Sequence, residues 1–378
     1  MTFTPTQTEL MQNMANIFAV GAQAADQNTT LANYLEKVPY IPQTVSEEVE
    51  FTPQPLLGTT SAVIEQLIQP IALQGPTLRG NGAQVNRYPK RNDRQVQTPY
   101  KKFTSFIEPL DILNIRAPGT LAALTSAVKV DYILRANRYN MMLWFEWLKV
   151  GALTGGPRYS TLDAKSPYQD VNLYTLLGEA QQTQEFTLAS AGTYVFEDIL
   201  PQLRDKVLKA LGLTETDGID LFVTEKFMTA LMKNAQFRDS YLKFRPFVET
   251  KPITVEGGYG AKAFGRRLDL TEVMKMRIIE YVDPQGWGIL PDSGTYGTGV
   301  AVPMGVPGLL VNYIAPVNLN TNSAVAPQGT VDGLEYVMNI WTEPNNEGMT
   351  VDIHSSTLPA CTRPGSLPIL YGNTALSP

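Results

Sequence analysis

Apolar and polar positions change period several times along this chain, and each change marks a different element. The strongest helical pattern covers residues 121–153, where Leu124, Val128, Ile133, Leu134, Met141, Trp144, Phe145 and Leu148 recur at the spacing of one helix face. Lys129, Arg135, Arg138, Glu146 and Lys149 fall mostly between them, as a solvated face requires. Gly155-Gly156-Pro157 stops the pattern by two separate means, permissive glycine and a missing donor. A helix of about 30 residues is a rod of about 45 Å. With Trp144 and Trp147 expected on adjacent faces, such a rod suits a backbone element around which a flat molecule is built.

A second helix is predicted over 196–211, with Ile199, Leu200, Leu203, Val207 and Leu208 on its inner face and Gly212 at the C′ position. Residues 219–223 form a short apolar strand. Thr224 is placed to cap a further helix, with Glu225 in its first turn and Phe227, Met228, Leu231 and Met232 facing inward. Residues 263–340 alternate short strands with loops rich in Gly and Pro. This order is mixed α+β and not the regular βαβ of a doubly wound sheet.

The first 60 residues read as an arm. Leu10, Met14, Ile17 and Phe18 predict one short amphipathic helix, followed by extended sequence punctuated by Pro39, Pro42, Pro53 and Pro55. Such a segment cannot close its own core, so it is expected to lie along something else. Residues 61–74 are apolar and read as strand or short helix, and 107–119 are again apolar and extended. Between them, residues 79–102 (RGNGAQVNRYPKRNDRQVQTPYKK) carry Arg79, Arg87, Lys90, Arg91, Arg94, Lys101 and Lys102, opposed only by Asp93. Gly80, Gly82, Pro89 and Pro99 exclude a helix there. Strand, polar excursion and strand make a hairpin, and half of about 24 residues at 3.3 Å each reach about 40 Å. A compact chain of this length has a radius of gyration of about 21 Å, so an arm of that reach should find a neighbour. Tyr88, Tyr100 and Phe103 interleave with the cations, which would also suit base stacking on single-stranded nucleic acid. The stretch either grips a polyanion or meets acidic surface on another subunit.

Composition narrows the choice. Of 378 residues, 43% are hydrophobic and 17% charged, against about 25% charged in an average soluble protein. So little surface charge points to an exterior covered by partners. The net charge of −6 does not fit a molecule built as a whole to hold nucleic acid. The first residues lack the basic and apolar regions of a signal peptide, and the longest strongly apolar run, 141–145, is far too short to span a bilayer, so no membrane partner is expected.

Chemistry is sparse. Cys361 and His354 are the only residues of their kinds, which excludes an intramolecular disulfide, zinc fingers and most triads. Both are expected in a strand, as a packed thiol and a solvated imidazole. The glycine cluster at 257–262 lacks the Gly-Lys-Ser/Thr of a phosphate-cradling loop, and that at 294–299 fails the dinucleotide fingerprint. Glu47, Glu48 and Glu50 read as an exposed face of the arm, and Asp217 with Asp220 as turn chemistry. No Gly-x-Ser-x-Gly elbow occurs. No enzyme, metal or cofactor is expected.

The last third of the chain carries a resemblance. EGMTVDIHSSTLP (347–359) followed by PGSLPIL (364–370) resembles the closing strands of the lambda-like major capsid protein E family, in which a strand ends in a Ser-x-x-Leu-Pro turn before a terminal strand. Arg79-Gly80, VNLYTLLG (171–178), residues 220–227 and GWGILPD (286–292) match further parts of that family in the same order. The resemblance implies the Hong Kong 97-like shell fold of tailed-phage capsids and encapsulins. It maps an N-terminal arm and leading strand to 1–70 and an extended loop to 71–107. A peripheral domain with its spine helix maps to 108–190, an axial domain to 191–334, and the return strands of the peripheral domain to 335–378. It implies self-assembly as pentamers and hexamers around double-stranded DNA, which the protein touches only non-specifically. It also implies a portal and a separate scaffolding protein, because the N-terminal region is too short for the built-in scaffold some members carry, and it allows a decoration or cement protein. Arg79, Arg87, Lys90, Arg91, Arg94, Lys101 and Lys102 are then expected to meet carboxylates of a neighbour. An encapsulin-like compartment is the alternative with the same fold, and a single-strand nucleic-acid binder using 79–102 the alternative from another class.

Overall fold

A computed structural model describes residues 41–56, 59–68, 90–108, 126–188, 195–212, 216–244, 266–293, 295–317, 335–342 and 348–373. The predicted helix around Leu10, the loop positions Arg79 and Arg87, most of the apolar run 107–119 and the glycine cluster at 257–262 lie outside the described residues. In chain order the strands are β1 (Thr52–Pro55), β2 (Ser61–Ile68), β3 (Lys90–Gln97), β4 (Tyr100–Ile107), β5 (Thr183–Thr187), β6 (Gly218–Thr224), β7 (Arg267–Leu270), β8 (Met276–Tyr281), β9 (Thr298–Met304), β10 (Leu310–Ile314), β11 (Val337–Thr342), β12 (Met349–Cys361) and β13 (Ile369–Asn373). The helices include α1 (Thr44–Glu48), α2 (Ser126–Leu153), α3 (Tyr159–Leu162), α4 (Leu173–Leu177), α5 (Leu200–Leu211), α6 (Glu225–Lys233) and α7 (Ala235–Phe244).

The chain divides into two compact units. The larger comprises Ile41–Pro99, Leu143–Glu335 and Ser356–Pro378. Its centre is a mixed sheet in the order β5-β13-β9-β6-β8-β7. β6 and β9 pair antiparallel, and nearly every residue of both is buried, so they read as continuous apolar runs and not as alternating ones. Against this sheet α5 buries Leu200, Leu203, Val207 and Leu211. Leu208, expected inward, is 38% exposed, because it follows Val207 by only one position and turns off that face. α6 buries Phe227, Met228 and Leu231, and Phe227 meets Phe186 edge-on with centroids 5.1 Å apart. Thr224 sits at the N-cap of α6, yet its hydroxyl caps nothing; it accepts the Thr298 N–H at 3.2 Å and ties β9 to the end of β6.

α2 has 28 residues, a rod of about 42 Å. Met141, Phe145 and Leu148 are buried along one stripe. Trp144 and Trp147 share a face, because positions three apart on a helix are neighbours. Their rings stack at 5.2 Å, with Tyr159 of α3 6.3 and 5.7 Å away. The helix ends where predicted. Gly155 and Gly156 adopt φ of 111° and 129°, and a Cβ at Gly156 would run into the Val171 carbonyl.

The same unit holds β1, parallel to β10, and the second half of β12, antiparallel to β10. The Ser-x-x-Leu-Pro sequence at 355–359 is strand and not turn: Leu358 and Pro359 stand opposite Tyr313 and Asn312, and the chain turns later, at Pro364–Ser366. Pro359 is tolerated because it occupies a non-hydrogen-bonded pair. The flanking bonds, Ala315 N–H to Ser356 and Thr362 N–H to Leu309, fix that alternation. In the smaller unit, which includes Tyr100–Met142 and Tyr336–Ser355, the first half of β12 pairs antiparallel with β11, and β4 also pairs with β12.

Candidate assembly surface

The basic stretch builds strands. β2 and β3 pair antiparallel over eight residues, from Ser61 opposite Gln97 to Ile68 opposite Lys90. The return strand of the hairpin is therefore the basic segment itself, and not the apolar run after it. Residues 90–97 contain no Gly or Pro, and their period of two is hidden because two inward positions are polar. Ala62, Ile64 and Val96 are buried on the inner face. On that face Asn92 donates to the Leu177 carbonyl at 3.2 Å and Arg94 Nε to the Leu176 carbonyl at 3.0 Å. These are C-terminal carbonyls of α4, which lack helix partners and favour cationic donors. α4 is itself set by Asn172, whose side chain accepts the Thr175 N–H at 3.0 Å, and by Gly178 at φ 72°.

On the outer face Glu65 and Asp93 stand directly opposite each other, a repulsive pair by itself. Arg91 bridges both, pairing with Glu65 and meeting Asp93 Oδ1 at 2.7 Å. β4 continues the basic stretch. Lys101 lies over the Phe103 ring at 5.2 Å. Lys102 Nζ meets Asp352 at 2.6 Å, a charge contact without hydrogen-bond alignment, and Asp352 is completely buried. Two positions along each strand, Tyr100 OH lies 3.0 Å from His354 Nδ1. The imidazole, expected in solvent, is buried, and burial together with Lys102 holds its pKa below the ordinary value although Asp352 opposes them. Cys361 is the packed thiol expected, its pKa pushed up to about 12 by burial.

Several acidic residues were not legible as sites. Glu146, on the expected solvated face of α2, is fully buried, and its carboxylate accepts the N–H groups of Val45 and Ser46 at 2.9 Å each. Glu48, expected exposed, meets Arg267 at 2.7 Å and Arg277 at 3.5 Å. Asp220 lies inside β6 and not in a turn, buried and gripped by the Arg277 guanidinium. Segment 41–50 is therefore held at both ends of α1. Among the described residues no cluster of His, Cys, Asp and Glu could hold a metal ion, and no described helix is long and apolar enough to cross a membrane.

The model of the family Phage major capsid protein E matches residues 28–370. The chain belongs to that family. No curated protein matches it. Among solved structures, the capsid of the cyanophage P-SCSP1u is 12% identical, with 93% of this chain and 94% of that one covered and a TM-score of 0.51. The mature capsid of bacteriophage PhiM1 is 13% identical over 93% and 92%, also at 0.51. These likenesses show the Hong Kong 97-like fold. The protein is thus a phage major capsid protein, a structural subunit that associates with itself in the virion shell, and the family match favours this over the compartment-shell alternative.

Proposed function

We propose that this capsid protein assembles as pentamers and hexamers into the icosahedral head that encloses the double-stranded DNA of a tailed phage. In this reading residues 1–70 are the arm, 71–107 the loop laid over the neighbouring subunit, 108–190 with 335–378 the peripheral domain, and 191–334 the axial domain. Arg79, Arg87, Lys90, Arg91, Arg94, Lys101 and Lys102 serve the overlap, three of them from positions set by their own subunit: Arg91 by Glu65 and Asp93, Arg94 by the Leu176 carbonyl and Lys102 by Asp352. The observation that carries the reading is the family match over 28–370, and the β2–β3 hairpin supports it. One face of that hairpin is committed to the body through Ile64, Val96 and Arg94, which leaves the Arg91–Glu65–Asp93 face outward. Exposed charges of this kind set register and partner choice more than affinity. A separate scaffold and a portal are the further partners, and the finished shell can take a decoration or cement protein. With a net charge of −6, contact with packaged DNA is non-specific, and the role of the protein is structural.

Expression of the chain, with its scaffold where one is needed, followed by electron microscopy should show shells, tubes or rings; a persistent monomer overturns the proposal. Charge reversal at Arg87 and Lys90, which leaves the Arg91–Glu65–Asp93 cluster intact, should block assembly. If assembly survives and salt-sensitive DNA association is lost instead, the stretch is a nucleic-acid grip and not an overlap.

A further inference from the structure

Two exposed sheet edges in the larger unit offer different things to an incoming strand. β1 lies parallel to β10, and Leu56 N–H donates to the Ile314 carbonyl at 2.8 Å. Alternation then aims the backbone groups of residues 52 and 54 at β10 and those of 53 and 55 away from it. Both outward positions are proline. This edge presents carbonyls and no donor, so a ladder cannot be completed on it.

β2 is built differently. Thr98 N–H donates to the Thr60 carbonyl at 2.9 Å, next to the Ser61–Gln97 pair. The antiparallel alternation makes Ala62–Val96 and Ile64–Arg94 the hydrogen-bonded pairs and aims the backbone groups of Ser61, Val63 and Glu65 outward. None of these is proline. Val63 is 43% exposed, and among the described residues no strand pairs with this side. The opposite edge, on β3, aims two charged residues, Arg91 and Asp93, outward where β2 aims only Glu65, and charge at an edge discourages pairing. A two-stranded ribbon is marginal alone and gains from a third strand.

We propose that the outer edge of β2, at Val63 and Glu65, receives an extended strand from a second copy of this chain, while Pro53 and Pro55 keep such additions off β1. The proposal rests on the shell reading: members of this family assemble with copies of themselves, and β2 is continuous with the loop assigned to the overlap.

The test is amide hydrogen exchange on assembled shells and on the free subunit. The Val63 and Glu65 amides should slow by about tenfold or more on assembly. Val63→Pro removes only an outward donor and leaves the β2–β3 ladder whole, so it should lower the assembled fraction while the thermal unfolding of the subunit is unchanged. Val63→Thr, which keeps the donor, should assemble like the parent. Shells in which these amides exchange as fast as in the free subunit overturn the inference and leave the shell reading standing. So does protection already present in the free subunit, or normal assembly of Val63→Pro. Failure of the parent chain to form any shell overturns the shell reading itself.

Discussion

The carboxylate of Glu146, about two turns before the end of α2, accepts the backbone N–H of Val45 at 2.9 Å, 101 positions earlier in the chain. Ser46 donates to its second oxygen, so one buried acid fixes the point from which the N-terminal segment enters the fold. Lys149, one turn along, meets Glu335 at 3.2 Å.

Burial holds the Glu146 carboxyl above its ordinary 4.5, against the pull of Ser46, Val45 and Lys149. The folded chain therefore keeps this proton to higher pH than the unfolded chain. The associated stability is complete below about pH 4.5 and is lost as pH rises through the folded value. Urea unfolding of the parent and of Glu146→Gln from pH 4 to 8 should show the parent losing stability relative to the variant as pH rises. Parallel curves would remove Glu146 from the account.

His354, the single histidine, shifts in the other sense. Its depressed pKa means that the unfolded chain takes up a proton first as pH falls below about 6.5. Its stabilising contribution is present above that value and declines as pH falls toward the folded value. The imidazole proton signals in NMR should titrate below 6.5, and His354→Gln should flatten the stability profile in that window. A titration at or above 6.5 contradicts the buried setting.

Lys102→Met leaves the buried Asp352 carboxylate without its cation. Removing one partner of a buried pair costs about 3–5 kcal/mol, and the lower end applies because Lys102 is partly solvated. Thermal unfolding should show the loss, and adding Asp352→Asn should recover most of it. A change within about 0.5 kcal/mol would mean that water already satisfies the carboxylate.

Gly156→Ala and Gly178→Ala separate steric from conformational demands. Both glycines have positive φ, but only at Gly156 does a Cβ meet backbone, with the Val171 carbonyl carbon at 2.8 Å. Gly178→Ala should cost about 1 kcal/mol, and Gly156→Ala well over 3 kcal/mol or soluble expression altogether. Equal losses would show that the helix stop after α2 yields.

Legibility followed the period of the side chains. α2, α5 and α6 and the buried strand β6 could be read because their inward positions are mostly apolar. β3 was missed as a strand because Asn92 and Arg94 occupy inward positions to satisfy the last carbonyls of α4, a role invisible without α4 beside them. Glu146 was misread for the same reason. A carboxylate on a helix is solvated by default, and only a backbone arriving from a hundred residues away makes it internal.

The amino-acid sequence by itself determined the α+β class, the long helix and its glycine stop, the scarcity of reactive groups and the capsid resemblance. All of these rest on local periodicity or on residue types in order along the chain. Tertiary structure alone decided which charges work inside the subunit. Arg91 holds two carboxylates of its own hairpin, Arg94 caps α4, Lys102 neutralises Asp352, and Glu48 and Glu146 grip the entry segment. The energy of a charge depends on its distance to partners and on the water it loses, and neither is encoded at the position where the charge is written.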